Sequence, residues 1–218
     1  MKDGFIQAFR KGNAITRLSA IILGLGNLAG KQIIKGILYL AMEVSFICFM
    51  IFKGMNCLAM LPSLGGREQQ EIWNEKLGVY EYVAGDNSLL ILLYGVATIF
   101  LIAAYVVLVM SSVKSAYNVQ SRLALGKHIN TFVEDVKSLF NENLHKLLLT
   151  LPVGGVLIFT ILPLIFMISM AFTNYSKVDS HLVLFDWVGL ENFKQLFDSG
   201  SSIGHSFWSV LGWTITVS

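Results

Sequence analysis

Charge is scarce in this chain. Only 14% of its 218 residues are Asp, Glu, Lys or Arg, against about 25% in soluble domains, while 55% are hydrophobic. A single core of this size cannot hide that excess. The formal net charge is only +2, and no basic stripe is interleaved with aromatics, which removes the footprint of a nucleic-acid binder. Cysteine is limited to Cys48 and Cys57, and Cys48 sits in an apolar run, so neither a disulfide framework nor a metal spacing is present. Catalytic signatures are also missing: there is no HExxH, no GxSxG and no P-loop. Gly24-x-Gly26 follows no strand and lacks a properly placed third glycine, which excludes a dinucleotide turn. No small-residue cleavage site follows the basic N-terminus, so a cleaved signal peptide is not expected.

Long apolar runs take the place of what is missing. A hydrocarbon core of about 30 Å needs around 20 apolar residues in a helix. Residues 33–52, 89–113 and 147–172 meet that length and are apolar around the whole circumference, as a lipid-facing helix requires. A fourth run starts near Ser206 and reaches the last residue, Ser218, after 13 residues. The fold class is therefore all-α and polytopic: three complete membrane helices and the start of a fourth. The chain is expected to be an N-terminal fragment or a truncated product.

Lys and Arg set the expected orientation. Five precede the first run, three lie between the first and second, five between the second and third, and two follow the third. This alternation places the N-terminus in the cytoplasm. Glu68, Glu71, Glu75, Glu81 and Asp86 then fall in the first outer loop.

Three shorter segments read as helices. Ile15, Leu18, Ile22, Leu25 and Ala29 recur at helical spacing beside Arg10, Lys11 and Arg17. They suit either a basic amphipathic helix on the inner leaflet or a frayed tail, and Gly24, Gly26 and Gly30 lower the helix propensity. Thr131-x-x-Glu134 matches a capping box ahead of an amphipathic stretch containing Phe132, Val136, Leu139 and Phe140. Leu190, Phe193, Leu196 and Phe197 share one side of a short interfacial helix before the fourth run.

Three residues stand out inside the spans. Glu43 lies at the middle of the first, where a carboxylate costs on the order of 2.5–3.5 kcal/mol and so must face protein or stay protonated. It marks a functional site or an interhelical hydrogen bond to Ser, Asn or Tyr, and the second reading is the more ordinary. Pro152 and Pro163 lie in the third span, and each removes a backbone donor and tends to kink a helix. They line a transport site or simply shape the helix, and the structural kink is the more ordinary reading. No catalytic, cofactor-binding or metal-binding residue is assigned.

From the third span onward the sequence resembles a known family. Phe172, Thr173, Asn174 and Tyr175, then Val188, Gly189, Leu190, Asn192, Phe193, Leu196 and Phe197, are similar to the larger permease subunit of maltose/maltodextrin ABC importers in its Gram-positive form. The match is good over residues 151–213, and the first 150 match in layout and around residues 24–40. The resemblance implies a bacterial plasma-membrane protein. Its partners would be a second permease subunit, a cytoplasmic ABC ATPase dimer that uses ATP, and an extracellular sugar-binding protein. No cofactor is expected in this chain. On this reading the organisation is a basic segment 1–32, a membrane hairpin 33–113 with outer loop 53–88, and a cytoplasmic amphipathic segment 114–146. The third span 147–172, an outer loop 173–205 and the start of the permease domain at 206–218 follow. The pore helices and the ATPase-docking loop lie beyond, so no substrate-contact residue is carried over. A membrane scaffold, or the anchor of an enzyme whose catalytic part lies elsewhere, is the alternative.

Overall fold

The computed structural model describes residues 4–68, 70–75, 77–83, 85–141, 143–175, 184–198 and 201–217. Three helices are long and apolar enough to cross a membrane: Ile33–Met60, Ser88–Ala124 and Leu147–Met170. The chain is an all-α polytopic membrane protein, with one small β-hairpin added. The spans carry the most exposed apolar side chains, such as Leu151 at 83% and Phe159 at 80%, as a lipid-facing surface requires.

Two of these helices outrun their apolar stretches. The first consists of α4 (Ile33–Phe49), a π-turn (Met50–Gly54) and α5 (Met55–Met60). Met, Leu and Ala sustain it past residue 52, and it stops two residues before Pro62, which cannot continue a helix. The second, α6 (Ser88–Ala124), ends in a Schellman motif. Gly126 adopts φ +61°, and the amides of Lys127 and Gly126 return to the carbonyls of Arg122 and Leu123. The third contains α8 (Leu144–Val156), a π-turn (Leu157–Ile161) and α9 (Leu162–Met170). Pro163 would leave the Phe159 carbonyl without its usual donor, and the π-turn falls on that residue.

The chain forms two compact units, Met1–Met55 with Ala97–Thr160 and Asn56–Val96 with Ile161–Ser218. In the first, the N-terminal segment is three short helices rather than one amphipathic helix: α1 (Phe5–Lys11), α2 (Ala14–Leu18) and α3 (Leu25–Ala29). Asn13 caps α2 by accepting the Thr16 amide at 2.9 Å. The expected capping box is present: α7 (Phe132–Phe140) starts with Thr131 and Glu134 capping each other's amides. Lys35 on α4 pairs with Asp135 on α7 at 2.9 Å.

The second unit has its own apolar core, in which Leu64, Leu92, Val96 and Phe185 are buried and Phe166 and Met170 pack against them. Its β-strands, β1 (Gln70–Asn74) and β2 (Val79–Val83), pair antiparallel with Trp73 opposite Tyr80 and Glu71 opposite Tyr82. Gly78 takes φ +64° to close the turn. At the base of the hairpin Asp86 accepts the amides of Gly66 and Arg67, both at 3.1 Å. Two further helices, α10 (Glu191–Phe197) and α11 (Ser202–Val217), complete the unit. Residues 176–183 and 199–200 of the outer loop lie outside the described residues.

Candidate functional site

Glu43 is the first residue to place. It is buried, 7% exposed, and its carboxylate accepts the backbone amide of Leu23 at 2.8 Å. The Tyr105 phenol lies near it. One turn along α4, Phe46 stacks on the Tyr105 ring at 4.0 Å. The hydrogen-bond donor to the carboxylate is thus a main-chain amide of the chain's own N-terminal segment. That donor is one of three. The Gly24 amide donates to Ser112 Oγ at 3.0 Å, and the Gly26 amide to Ser19 Oγ at 2.8 Å. These amides lie at the start of α3, where helical partners are missing. A hydrocarbon environment offers no water to replace them.

One of these acceptors, Ser112, belongs to a polar seam along α6. Ser112, Ser115, Ala116, Val119 and Gln120 recur at helical spacing on one face. Ser112 Oγ donates back to the Ser19 carbonyl at 3.2 Å. Asn27 donates to Ser115 Oγ at 2.8 Å and to Gln32 Oε1 at 2.7 Å. Gln120 Oε1 accepts the Thr16 hydroxyl at 2.8 Å and the Asn13 amide at 2.9 Å. Three glycines let the backbone come this close. A methyl on Gly24 would strike the Gly36 carbonyl, one on Gly26 the Ala116 side chain, and one on Gly30 Val119. A cleft of about 220 Å³ beside the seam is lined by Asn13, Thr16, Ala116, Val119, Gln120 and Leu123 among others. It is smaller than the roughly 300–1,000 Å³ of ordinary small-molecule sites.

Sequence reasoning missed this seam. Its only trace is small polar residues at regular spacing within an otherwise apolar helix. The prolines do not join it: Pro152 lies inside α8 and Pro163 opens α9, whereas Glu43 accepts from Leu23 and lies near Tyr105. Among the described residues, no group of three His, Cys, Asp or Glu side chains could hold a metal ion.

In the second unit the structure brings together the two motifs that carry the family resemblance. Phe172 to Tyr175 follow the end of α9, and Val188 to Phe197 contain α10. The Asn192 amide donates to the Thr173 carbonyl at 2.7 Å and to the Ala171 carbonyl at 2.9 Å, which satisfies acceptors left free at the helix end. The amides of Val188 and Gly189 both donate to the Phe172 carbonyl, at 2.9 and 3.1 Å. Gly189 does so at φ +60°, a conformation few other residues adopt. The Phe172 and Phe193 rings meet at 5.3 Å, and Asn174 exchanges hydrogen bonds with the backbone of Asp186. Trp187 and Trp208 donate their indole N–H groups to the carbonyls of Leu61 and Leu196, at 2.9 and 3.0 Å. The motif residues therefore form a structural joint.

Comparison with known proteins shows what the chain carrying that joint is similar to. Over 202 residues, 91% of this chain, it is 31% identical to the maltodextrin transport system permease protein MalC of Streptococcus pneumoniae. The chain is similar to maltodextrin transport permeases along nine-tenths of its length. Two further relatives come from Bacillus subtilis. The maltodextrin transport system permease protein MdxF is 28% identical over 91% of this chain and 42% of its own length. The galactooligosaccharides transport system permease protein GanP is 29% identical over 92% of this chain and 44% of its own length. The chain spans less than half the length of these relatives, 42% in the case of MalC. No protein-family model matches it, and no solved structure matches it significantly.

Proposed function

We propose that this chain belongs to the permease subunit of a binding-protein-dependent ABC importer for maltodextrin-like oligosaccharides. The observation that carries the reading is similarity to sugar-transport permeases along nine-tenths of the chain. The joint between Phe172–Tyr175 and Val188–Phe197 supports it, because the residues behind the resemblance hold one another through specific hydrogen bonds.

In this reading the protein lies in the bacterial plasma membrane with its N-terminus in the cytoplasm. The alternating Lys and Arg counts support that orientation. A second permease subunit completes the membrane part, and a cytoplasmic ABC ATPase dimer supplies the energy of ATP. An extracellular sugar-binding protein delivers the substrate. The chain itself performs no bond chemistry. Its seam fixes the N-terminal segment to α4 and α6, and its outer joint fixes the end of α9 to α10.

Gene disruption tests the proposal. Cells lacking the protein are expected to lose uptake of labelled maltooligosaccharides and to keep uptake of glucose, with recovery on complementation. Unchanged maltooligosaccharide uptake would refute it.

A further inference from the structure

The β-hairpin has an unused aromatic face. Cross-strand pairing places Glu71 and Tyr82 together, then Trp73 and Tyr80, so all four side chains point to one side. Trp73 is 50% exposed, Tyr80 63% and Tyr82 69%. Trp73 and Tyr80 meet edge to face at 4.9 Å and 66°, which presents two ring surfaces in different planes. Cross-strand pairing sets the Glu71 carboxylate beside the Tyr82 phenol, which places an acceptor next to the rings. The opposite face is different in kind, with Ile72, Val79 and Val83 aliphatic and Glu81 among them.

Three occupants compete for such a face. Trp and Tyr often lie at a membrane interface. Here the residues 67–83 carry four glutamates against one arginine and one lysine, and that excess of negative charge opposes contact with anionic lipid. A protein partner needs roughly 800 Å² of surface on each side. Two five-residue strands offer a face only about 17 Å long and about 10 Å wide. A neutral oligosaccharide meets neither obstacle. The C–H bonds of its ring faces carry partial positive charge and suit the negative faces of aromatic rings. Its hydroxyls can donate to the carboxylate.

We propose that Trp73, Tyr80, Tyr82 and Glu71 form a surface platform that binds a neutral oligosaccharide, apart from any site within the membrane. The proposal rests on the sugar-importer reading, which puts the hairpin on the side from which substrate arrives. The platform binds weakly and exchanges fast, because it is open and holds the sugar from one side only. It would raise the local concentration of substrate or hold one end of a longer chain.

The test uses the protein in lipid nanodiscs with its tryptophans, the four of these 218 residues among them, labelled as 5-fluorotryptophan and read by fluorine NMR. Trp73→Phe assigns the hairpin signal. Maltoheptaose is titrated, with sorbitol as the acyclic control. The platform predicts a saturable shift of the Trp73 signal with maltoheptaose alone, while the signals of Trp187, Trp208 and Trp213 stay in place. Tyr80→Ala abolishes the shift and Tyr80→Phe keeps it, and unmoved signals from the other tryptophans show that each variant is folded. An unmoved Trp73 signal in a protein whose assembled importer still takes up sugar overturns the platform and leaves the importer reading intact. Absent binding together with absent uptake overturns both. Equal shifts with sorbitol, or broadening of Trp73 by spin-labelled lipid before sugar is added, also overturn the platform.

Discussion

The side chain of Asn192 holds the backbone of Thr173. Its amide group donates to the Thr173 carbonyl at 2.7 Å and, with its second hydrogen, to that of Ala171 at 2.9 Å. Two carbonyls just past the end of α9 are thereby paired by one residue, 21 and 19 positions further along the chain. Only a side chain with two N–H bonds on one nitrogen does this at so short a reach.

Substitution of Asn192 reads out that joint. Asn192→Ala removes two hydrogen bonds, each worth about 0.5–1.5 kcal/mol net. Asn192→Asp is expected to be worse, because its oxygens would face two carbonyl oxygens. Thermal unfolding of the purified protein in detergent should rank wild type above Ala and Ala above Asp. An Asp variant as stable as wild type would contradict the assignment.

Glu43 should tolerate Gln and not Leu. Gln keeps an oxygen for the Leu23 amide, whereas Leu leaves that buried N–H unpaired at a cost of about 1–3 kcal/mol. Hydrogen exchange at Leu23 to Gly26 is expected to accelerate in Glu43→Leu and to stay near wild type in Glu43→Gln. Sugar uptake should be nearly unchanged in Glu43→Gln. Abolished uptake in that variant, with normal assembly and exchange, would mean that the negative charge has a role in transport.

Gly26 and Ala116 form a reciprocal pair. A methyl on Gly26 meets the Ala116 side chain, and overpacking of this kind costs about 1–3 kcal/mol. Gly26→Ala should loosen the N-terminal segment, and Ala116→Gly should restore it in the double variant. Protease susceptibility between α2 and α3 measures the effect. No rescue would place the glycine's importance elsewhere.

How much of this was legible depended on the physical signal. The three spans were readable because apolar length alone defines them, and the capping box because Thr131 and Glu134 act over three residues. The sequence told little about Glu43, since its partner is a backbone amide 20 residues away and main-chain donors leave no residue signature. Gly24, Gly26 and Gly30 were read as weak helix formers. Their role is close approach, which becomes visible only with Gly36, Ala116 and Val119 in place. The hairpin was hidden because apolar and charged residues occur on both of its faces, which blurs strand alternation. The residues 172–175 and 188–197 were recognised separately, but nothing local showed that Asn192 and Gly189 serve the end of α9.

Acid should weaken the start of α7. Backbone donation from Thr131, then the hydrogen bond from His128 at 2.9 Å, holds the Glu134 carboxyl below its ordinary 4.5. A depressed carboxyl pKa stabilises the folded form above the unfolded value, and that contribution is lost as pH falls through the lower folded value. The protection factor of the Thr131 amide, its observed exchange corrected for the intrinsic rate at each pH, is therefore expected to fall below pH 4.5 in the wild type and to change less in Glu134→Gln. Titration of Glu134 at or above its ordinary value, followed by carboxyl NMR, would contradict the cap.

The importer assignment is tested most directly in proteoliposomes that contain the complete assembly: this protein in full length, the second permease subunit and the ATPase dimer. Sugar-loaded binding protein is supplied on one side and ATP on the other, and entry of labelled maltodextrin is measured. Uptake is predicted to require ATP, the binding protein and this subunit together, and to cease when any one is omitted. Undiminished uptake in liposomes assembled without this subunit would contradict the account.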